Sequence, residues 1–292
     1  MNKKVIFVSD IFSDQYQGGA ELTLESIIEK CPYEYVKKNS SNLDLNFINE
    51  NLENFWVFGN FFNLKREFIL YLIKKQVKYA VFEYDYKFCN YRSVTLHKIK
   101  ENKPCDCFEK RNGKEVALFF YKSSFMCWMS DKQKEFYEEL FPFLKNHNNS
   151  HVISSTFSER DTLFIKSLNS LGLKKNDTFL ILNSRSWIKG TAETIEKAKK
   201  QKIKYELVSN LKRHEILRKI SQSKGLMFLP LGKDTCPRIV IEAKLLGCEL
   251  ILNDNVLHAK EPWFQKTTSE MFDYLDNKKH FFWNTVEGLV NE

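Results

Sequence analysis

Short apolar runs alternate with longer amphipathic stretches along almost the whole chain, and this alternation restricts the fold more than any other feature of the sequence. In the first half, the apolar runs cover residues 5–8, 56–58, 79–82, 117–121 and 125–129, and the amphipathic stretches cover 20–30, 64–75 and 131–144. In the second half, the runs cover 179–182, 205–208, 226–231 and 250–252, and the stretches cover 191–201, 214–223 and 238–246. This order predicts βα units around a mostly parallel sheet in each half.

The length of 292 residues allows two domains, each with its own core. Polar breaks at 145–150 and 176–177 place a junction between residues 150 and 176. The segment from Pro262 onward carries too many large aromatic side chains for a solvated tail, so we expect it to pack as helices across one or both domains.

Composition excludes several classes of protein. Apolar residues make up 43% of the chain and charged residues 28%, which argues against long-range disorder, collagen-like repeats and coiled coil. No apolar run reaches the length of a membrane span, and Ser9 and Asp10 end the first run before it resembles a signal peptide. We therefore expect a cytoplasmic protein, with peripheral contact at the inner face of a membrane left open. Seven cysteines without a signal do not predict a disulfide framework.

The net charge is +8, which favours anionic partners such as nucleotides, phosphorylated lipids, anionic membrane surface or nucleic acid. Biased codon usage can also produce such an excess of lysine. No arginine-rich arm, helix-turn-helix or zinc-finger spacing accompanies the charge.

The most informative segment is 229–253, LPLGKDTCPRIVIEAKLLGCELILN. Pro237 suits the first turn of a helix and Gly247 suits its end. Asp234 lies in the preceding loop, and Glu242 follows it after seven intervening residues. Taken alone, Arg238 and Glu242 would be interpreted as a solvated i,i+4 pair on the helix surface.

Two other loops, each between a predicted strand and a predicted helix, also carry candidate ligand-binding residues. In segment 179–190, FLILNSRSWIKG, a strand is followed by Ser184, Arg185 and then Lys189-Gly190, with Thr191 as a helix N-cap. Between the first strand and the first helix lies Gln17-Gly18-Gly19-Ala20-Glu21, where glycines allow close approach of a ligand to the backbone or a positive φ. The chain lacks G-x-G-x-x-G, which argues against a nicotinamide or flavin site.

Together these segments resemble the signature of family 4 glycosyltransferases, which are retaining enzymes of the GT-B fold. Asp234-x7-Glu242, followed by Ala243 and Gly247, is similar to E-x7-E; Arg185 and Lys189 are similar to R-x4-K-G, one residue closer together; Gly18-Gly19 is similar to G-G-x-E. The resemblance implies an α/β protein with two Rossmann-like domains facing each other across a cleft. Residues 1–155 would bind the acceptor and 156–292 the nucleotide-sugar donor, with the last helices packing back on the first domain.

The resemblance also implies roles for individual residues. Asp234 would contact hydroxyls of the donor sugar, Glu242 would hold the ribose, and Lys189 with Arg185 would neutralise the leaving diphosphate. The remaining implied donor contacts are Gly18, Gly19, Ser184, Thr235, Cys236, Pro237 and Arg238. The implied reaction transfers a sugar from a UDP- or GDP-linked donor to a glycan or lipid-linked saccharide with retention, and it uses no divalent metal or other cofactor. The alternatives are a nucleic-acid-modifying glycosyltransferase and a non-catalytic relative that binds nucleotide sugar.

Segment 83–92, EYDYKFCNYR, follows a predicted strand and would lie at the carboxyl edge of the first sheet, where open α/β folds bind ligands. Asp85 is our candidate for the acceptor site, and Glu83 or Arg92 could also face the acceptor. The tyrosines of this segment could stack on a sugar, although core packing is expected for at least one of Tyr84, Tyr86 and Tyr91.

Four residues that can bind zinc follow within a short stretch, as Cys89-x7-His97-x7-Cys105-x-Cys107. The spacing contains no standard C-x2-C pair, and an irregular insertion with free thiols is the alternative. We assign no metal ligand from the sequence, and a structural metal at these four residues is the less favoured of the two interpretations.

Overall fold

The computed structural model describes residues 4–291, which form two compact units. The first unit contains the described residues up to Ser158 together with those from Leu275 onward, and the second is Glu159–Tyr274. Each unit is built around one parallel sheet. No helix within residues 4–291 combines the length and the apolar character needed to span a membrane.

The sheet of the first unit has the strand order β2-β1-β3-β4-β5-β6 over the described residues. Its strands are β1 (Val5–Ser9), β2 (Tyr35–Asn39), β3 (Phe55–Phe58), β4 (Tyr79–Glu83), β5 (Phe125–Trp128) and β6 (Ser150–Val152). From β1 the chain crosses to β2 on one side and later to β3 on the other. The carboxyl ends of β1 and β3 therefore form the switch point at which open α/β sheets bind ligands.

Helices connect the strands of the first unit: α1 (Gly19–Ile28), α2 (Leu45–Glu50), α3 (Arg66–Lys74), α4 (Val94–Glu101), α5 (Arg111–Tyr121) and α6 (Asp131–Leu140). The final helix, α11 (Thr268–Asn291), begins in the second unit and ends in the first. In the first unit, the ring of Phe282 packs on Phe82 and Phe125, and the Trp283 indole N–H donates to the carbonyl oxygen of Ile27. Phe282 and Trp283 are thus part of the core of the first unit.

The prediction of a strand at 117–121 was wrong, because these residues form the second half of α5. Val116, Ala117, Phe119 and Phe120 are buried, at the spacing of one helical face, and the central core of the unit includes them. An apolar run of this length is compatible with a buried helix as well as with a strand. The edge strands β2 and β6 were not predicted, since their sequences YVKKN and SHV lack an apolar run.

The sheet of the second unit has the order β10-β9-β7-β8. Its strands are β7 (Phe179–Leu182), β8 (Tyr205–Val208), β9 (Gly225–Phe228) and β10 (Glu249–Leu252), and its helices before α11 are α7 (Glu159–Ser170), α8 (Thr191–Lys200), α9 (Arg213–Ser221) and α10 (Arg238–Leu245). The chain leaves β7 toward β8 and returns on the other side to β9. The switch point of this unit is therefore at the carboxyl ends of β7 and β9.

Candidate functional site

The loops that follow β7 and β9 bring Lys189 and Asp234 together at the switch point of the second unit. The Lys189 ammonium lies 2.7 Å from Oδ2 of Asp234. The two loops are also joined through the backbone, since the N–H of Leu231 donates to the carbonyl oxygen of Ile188 at 2.9 Å. An ion pair that remains partly exposed to solvent thus lies at the position where this fold class binds ligands.

Gly190 is required by the geometry of this site. Its φ is +62°, in the left-handed region, and a Cβ there would lie 2.2 Å from the carbonyl oxygen of Leu229. Only glycine allows the β7–α8 loop to approach the end of β9 so closely. Gly190 is also the N-cap of α8, so the expectation that Thr191 is the cap was wrong. The Thr191 hydroxyl instead donates to the carbonyl oxygen of Leu182 and accepts from the N–H of Ser184.

Asp234 is held by backbone contacts to the segment after β10. Its N–H donates to the carbonyl oxygen of Asn255 at 2.8 Å, and its own carbonyl accepts from the N–H of Leu257 at 3.1 Å. The side chain of Lys189 also lies over the ring of Phe228, at 5.6 Å from the ring centroid. Arg185 is exposed in the preceding loop.

The start of α10 is buried. Pro237 is its N-cap, and Gly247 follows the helix with φ +68°, as predicted for a helix end. Thr235 and Cys236 are buried beside Pro237. Because the axis of α10 begins directly after the Asp234 loop, the positive end of its dipole lies on the side of that loop.

Arg238 and Glu242 do not form the solvated pair that their spacing alone predicts. The two residues are only 5% and 2% exposed. Arg238 Nε donates to Glu242 Oε1 at 3.0 Å, and Arg213 of α9 lies 2.7 Å from the same oxygen. Both arginines also contact Oδ2 of Asp161 of α7, at 2.7 and 3.0 Å. The result is a buried network of two carboxylates and two guanidinium groups that joins three helices.

The network shifts the ionisation of its members. Burial lowers the pKa of Arg238 to about 10, with the like charge of Arg213 acting in the same direction. Burial would raise the pKa of Asp161, but the charges of Arg238 and Arg213 more than offset this and hold it below its usual value. Sequence reasoning did not identify Asp161 or Arg213, because no local spacing connects them to α10.

In the first unit, Gly18 is the N-cap of α1 and has a φ of −82°, so this glycine is not required by a left-handed backbone. A Cβ on Gly18 would instead lie 2.3 Å from the carboxylate of Glu21. Gly19 begins the helix and is exposed. The Glu21 carboxylate and the Tyr16 ring thus lie against Gly18 at the N-terminus of α1.

The last residue of β4 and the residues that follow it form a second charged group. The buried Lys87 ammonium lies 3.2 Å from Oε2 of Glu83, and Arg92 Nε donates to Oδ2 of Asp85 at 2.6 Å. Burial would raise the pKa of Asp85, but Lys87 and Arg92 hold it below its usual value. Tyr86 is buried in the core and its ring stacks on Tyr137, so the expectation of core packing is confirmed for one tyrosine.

Four side chains that can bind metal also lie together in the first unit. The ligand atoms of Cys89, His97, Cys105 and Cys107 are all within 4.8 Å of one another. They come from the chain between β4 and α5.

No protein-family model matches the chain, and no curated protein matches it in sequence. Several solved structures are similar in fold. HepE from Anabaena, in complex with UDP and glucose, is 10% identical with a TM-score of 0.59, over 98% of this chain and 100% of that chain. Sucrose-phosphate synthase from Thermosynechococcus elongatus is 9% identical with a TM-score of 0.54, over 99% and 96%. A UDP-forming α,α-trehalose-phosphate synthase from Burkholderia xenovorans is 9% identical with a TM-score of 0.51, over 98% and 99%.

These similarities extend over nearly the full length of each chain and concern the fold. They agree with the two parallel, doubly wound sheets described above. The protein has the α/β architecture of GT-B glycosyltransferases.

Proposed function

We propose that this protein is a glycosyltransferase that uses a nucleotide-sugar donor, with a UDP-sugar as the first choice. The observation that carries the proposal is the Lys189–Asp234 pair, 2.7 Å apart at the switch point of the second unit. The structural neighbour HepE has been crystallised with UDP and glucose and with UDP-glucose, which favours uridine as the base.

The two members of the pair have complementary chemistry for this reaction. The Lys189 ammonium can offset the negative charge that grows on a diphosphate as the glycosidic bond breaks, and the Asp234 carboxylate can accept hydrogen bonds from sugar hydroxyls. The positive end of the α10 dipole adds to the stabilisation of the leaving group. These groups can act without a divalent cation, and we propose a metal-independent transfer with retention of configuration.

Glu242 is proposed to hold the ribose of the nucleotide. Its Oε1 is already bound by Arg238 and Arg213, so Oε2 would accept the hydrogen bonds of the ribose hydroxyls. The two arginines then have a positioning role, since they fix the carboxylate in one orientation.

The acceptor is proposed to be a glycan or a lipid-linked saccharide. Asp85 lies just beyond the end of β4, where its carboxylate is held by Arg92 and can receive an acceptor hydroxyl. A phosphate on a lipid-linked acceptor would find positive charge in Arg92 itself. Transfer to nucleic acid would be the outcome that contradicts this choice of acceptor.

Thermal denaturation in the presence of UDP-, GDP-, CMP- and dTDP-sugars tests the donor, because a ligand that binds the folded state raises its Tm. We expect UDP-sugars to give the largest rise and Lys189→Ala to reduce it. Lys204→Ala is the matched control. Lys204 precedes β8 and forms an exposed ion pair with Asp177, which precedes β7, so this pair lies at the amino ends of the strands, opposite the candidate site. If no nucleotide sugar raises the Tm, the proposed function is wrong.

A further inference from the structure

The segment between β4 and α5 contains little regular structure, and its first part is held in the core of the unit by Tyr86 and Phe88. Its one helix, α4, is fully described, and His97 is its only buried residue, while Ile99 is exposed. A helix that packs by hydrophobic burial turns apolar side chains toward the core. Here a histidine occupies the buried position and Val94 is only partly buried against the core, so the polar contacts of His97 contribute to anchoring α4.

Three thiols lie close to the imidazole of His97. Nδ1 of His97 lies 3.4 Å from Sγ of Cys107 and 3.8 Å from Sγ of Cys89, and Cys105 completes a set whose ligand atoms are within 4.8 Å of one another. In a tetrahedral zinc site, bond lengths of about 2.3 Å to sulfur and about 2.0 Å to nitrogen place neighbouring ligand atoms about 3.5–3.8 Å apart. The four atoms are thus close to the spacing that zinc requires.

The second nitrogen of His97 has the environment typical of a metal ligand. Nε2 is buried and lies 3.7 Å from Oδ1 of Asp106. A metal-bound histidine usually directs its other ring nitrogen toward a carboxylate, which fixes the tautomer and the orientation of the ring. The geometry places Nδ1 toward the sulfurs and Nε2 toward Asp106.

The charges around the cluster also balance. Zinc with three thiolates and a neutral imidazole carries one negative charge, and Asp106 adds a second. Lys103 and Lys110 lie 2.9 and 2.8 Å from the Asp106 carboxylate and supply two positive charges. Binding would release the three thiol protons to solvent, since thiolates are the ligands.

We propose that Cys89, His97, Cys105 and Cys107 form a structural zinc site. Three thiolates and an imidazole in tetrahedral arrangement favour zinc over hard cations, and four protein ligands leave no open position for catalysis. The site would connect the turn after β4, α4 and the loop before α5. It does not depend on the proposed glycosyltransferase activity.

The backbone at both ends of the cluster is already closely packed, which fits an anchored segment. The N–H of Arg92 donates to the carbonyl oxygen of Cys89 at 2.8 Å, and Arg92 adopts a left-handed φ of +52°. At the other end, a Cβ on Gly113 of α5 would lie 2.2 Å from the carbonyl oxygen of Cys107. Zinc would hold the turn that carries Arg92, and through it Asp85, in one conformation.

The test uses the untagged 292-residue chain, expressed with zinc in the medium. Elemental analysis should find about one zinc ion per chain, and exchange for Co²⁺ should give the intense visible absorption of tetrahedral thiolate-bound cobalt. Removal of the metal with a chelator should lower the Tm. These measurements on the native chain remain decisive even if a ligand variant does not fold.

Variants then identify the ligands. Cys107→Ser and His97→Ala should reduce the zinc content and the Tm, whereas Cys31→Ser, which removes a partly buried thiol outside the cluster, should retain one zinc per chain. Substoichiometric zinc in the folded native protein would overturn the proposal. So would a disulfide among Cys89, Cys105 and Cys107, detected by alkylation and mass spectrometry of the protein as purified.

Discussion

Lys189 and Asp234 are 45 positions apart in the sequence, yet their side chains form an ion pair of 2.7 Å at the carboxyl edge of one sheet. The pair depends on adjacent central strands, because β7 and β9 are neighbours and each is followed by the loop that carries one partner. In the proposed reaction, the Lys189 ammonium faces the phosphate oxygens as the donor bond breaks.

We expect Lys189→Ala to lower kcat by about 100-fold, the scale of a lost electrostatic stabiliser of the transition state. Arg185→Ala should have a smaller effect, because its side chain is exposed. Steady-state kinetics with a nucleotide-sugar donor provide the measurement. Lys204→Ala should retain its kcat, and an equal loss in that control would show that Lys189 has no specific role.

The buried network around Glu242 gives a prediction about stability as well as binding. Glu242→Ala removes a carboxylate that both Arg213 and Arg238 contact, and breaking a buried ion pair costs about 3–5 kcal/mol of unfolding free energy. Urea unfolding measures this loss. Glu249→Ala, which removes an exposed carboxylate of β10, should change the stability by less than about 0.5 kcal/mol.

Glu242→Gln tests the ribose contact with less disturbance of the fold than Glu242→Ala, since it keeps the size of the side chain and an oxygen acceptor for the two arginines. If Glu242 binds the ribose, nucleotide affinity should fall by about 1.5–3 kcal/mol, the value of a hydrogen bond to a charged group. Calorimetric titration of the folded variant provides the measurement. Unchanged affinity would remove Glu242 from the donor site without affecting the account of the network.

Two glycines of the second unit form a matched pair. Gly190 and Gly247 both have left-handed φ values, of +62° and +68°, but a Cβ on Gly247 would meet no atom within 4 Å. Gly247→Ala should therefore cost only the conformational penalty, about 1–2 kcal/mol. Gly190→Ala should cost roughly 1–3 kcal/mol more, the usual range for overpacking.

Gly190→Ala should also weaken donor binding, because the β7–α8 loop carries Lys189 and must move away from β9 to make room for the added methyl group. Urea unfolding and nucleotide titration of both variants test this. Equal stability losses for Gly190→Ala and Gly247→Ala would show that the loop adapts without cost, and the close approach would then have no role in the site.

Much of the fold could be predicted from hydrophobic patterning because the central strands are continuous apolar runs, as in Phe55–Phe58. Patterning failed in two situations. Residues 117–121 are equally apolar but helical, and only their packing on the core distinguishes the two structures. The edge strand Tyr35–Asn39 carries lysines, because one side of the strand has no neighbour and its side chains reach solvent.

The candidate site was predictable to the extent that its residues follow central strands. Lys189 and Asp234 each lie in such a loop, so topology brings them together. Asp161 and Arg213 come from helices far from α10 in sequence, and only tertiary packing creates their contacts with Arg238 and Glu242. The same holds for Cys89, His97, Cys105 and Cys107, whose proximity depends on how α4 folds back on the turn before it.

Glu83 gives the last prediction, which concerns pH. Its carboxylate is fully buried at the end of β4, and burial raises its pKa from 4.5 to about 7, although the neighbouring Lys87 acts in the opposite direction. The folded chain therefore holds this proton more tightly than the unfolded chain. The resulting stabilisation is present below the unfolded pKa of 4.5 and is lost as the pH rises to about 7.

Because one pKa unit corresponds to about 1.4 kcal/mol, Glu83 should contribute a decrease of up to about 3 kcal/mol in unfolding free energy across this window. Glu83→Gln removes the titrating proton but keeps Oε1 as an acceptor for the N–H groups of Asp85 and Lys87. In this variant Lys87 also keeps the Asp85 carboxylate as a partner, 3.4 Å away.

Urea unfolding between pH 4.5 and 7 should therefore show that the unfolding free energy falls more steeply with pH for the native chain than for Glu83→Gln. Glu109→Gln, which removes an exposed carboxylate, controls for the change in net charge. Parallel pH profiles for the native chain and Glu83→Gln would mean that Glu83 remains ionised in the folded protein, as one half of a buried ion pair with Lys87.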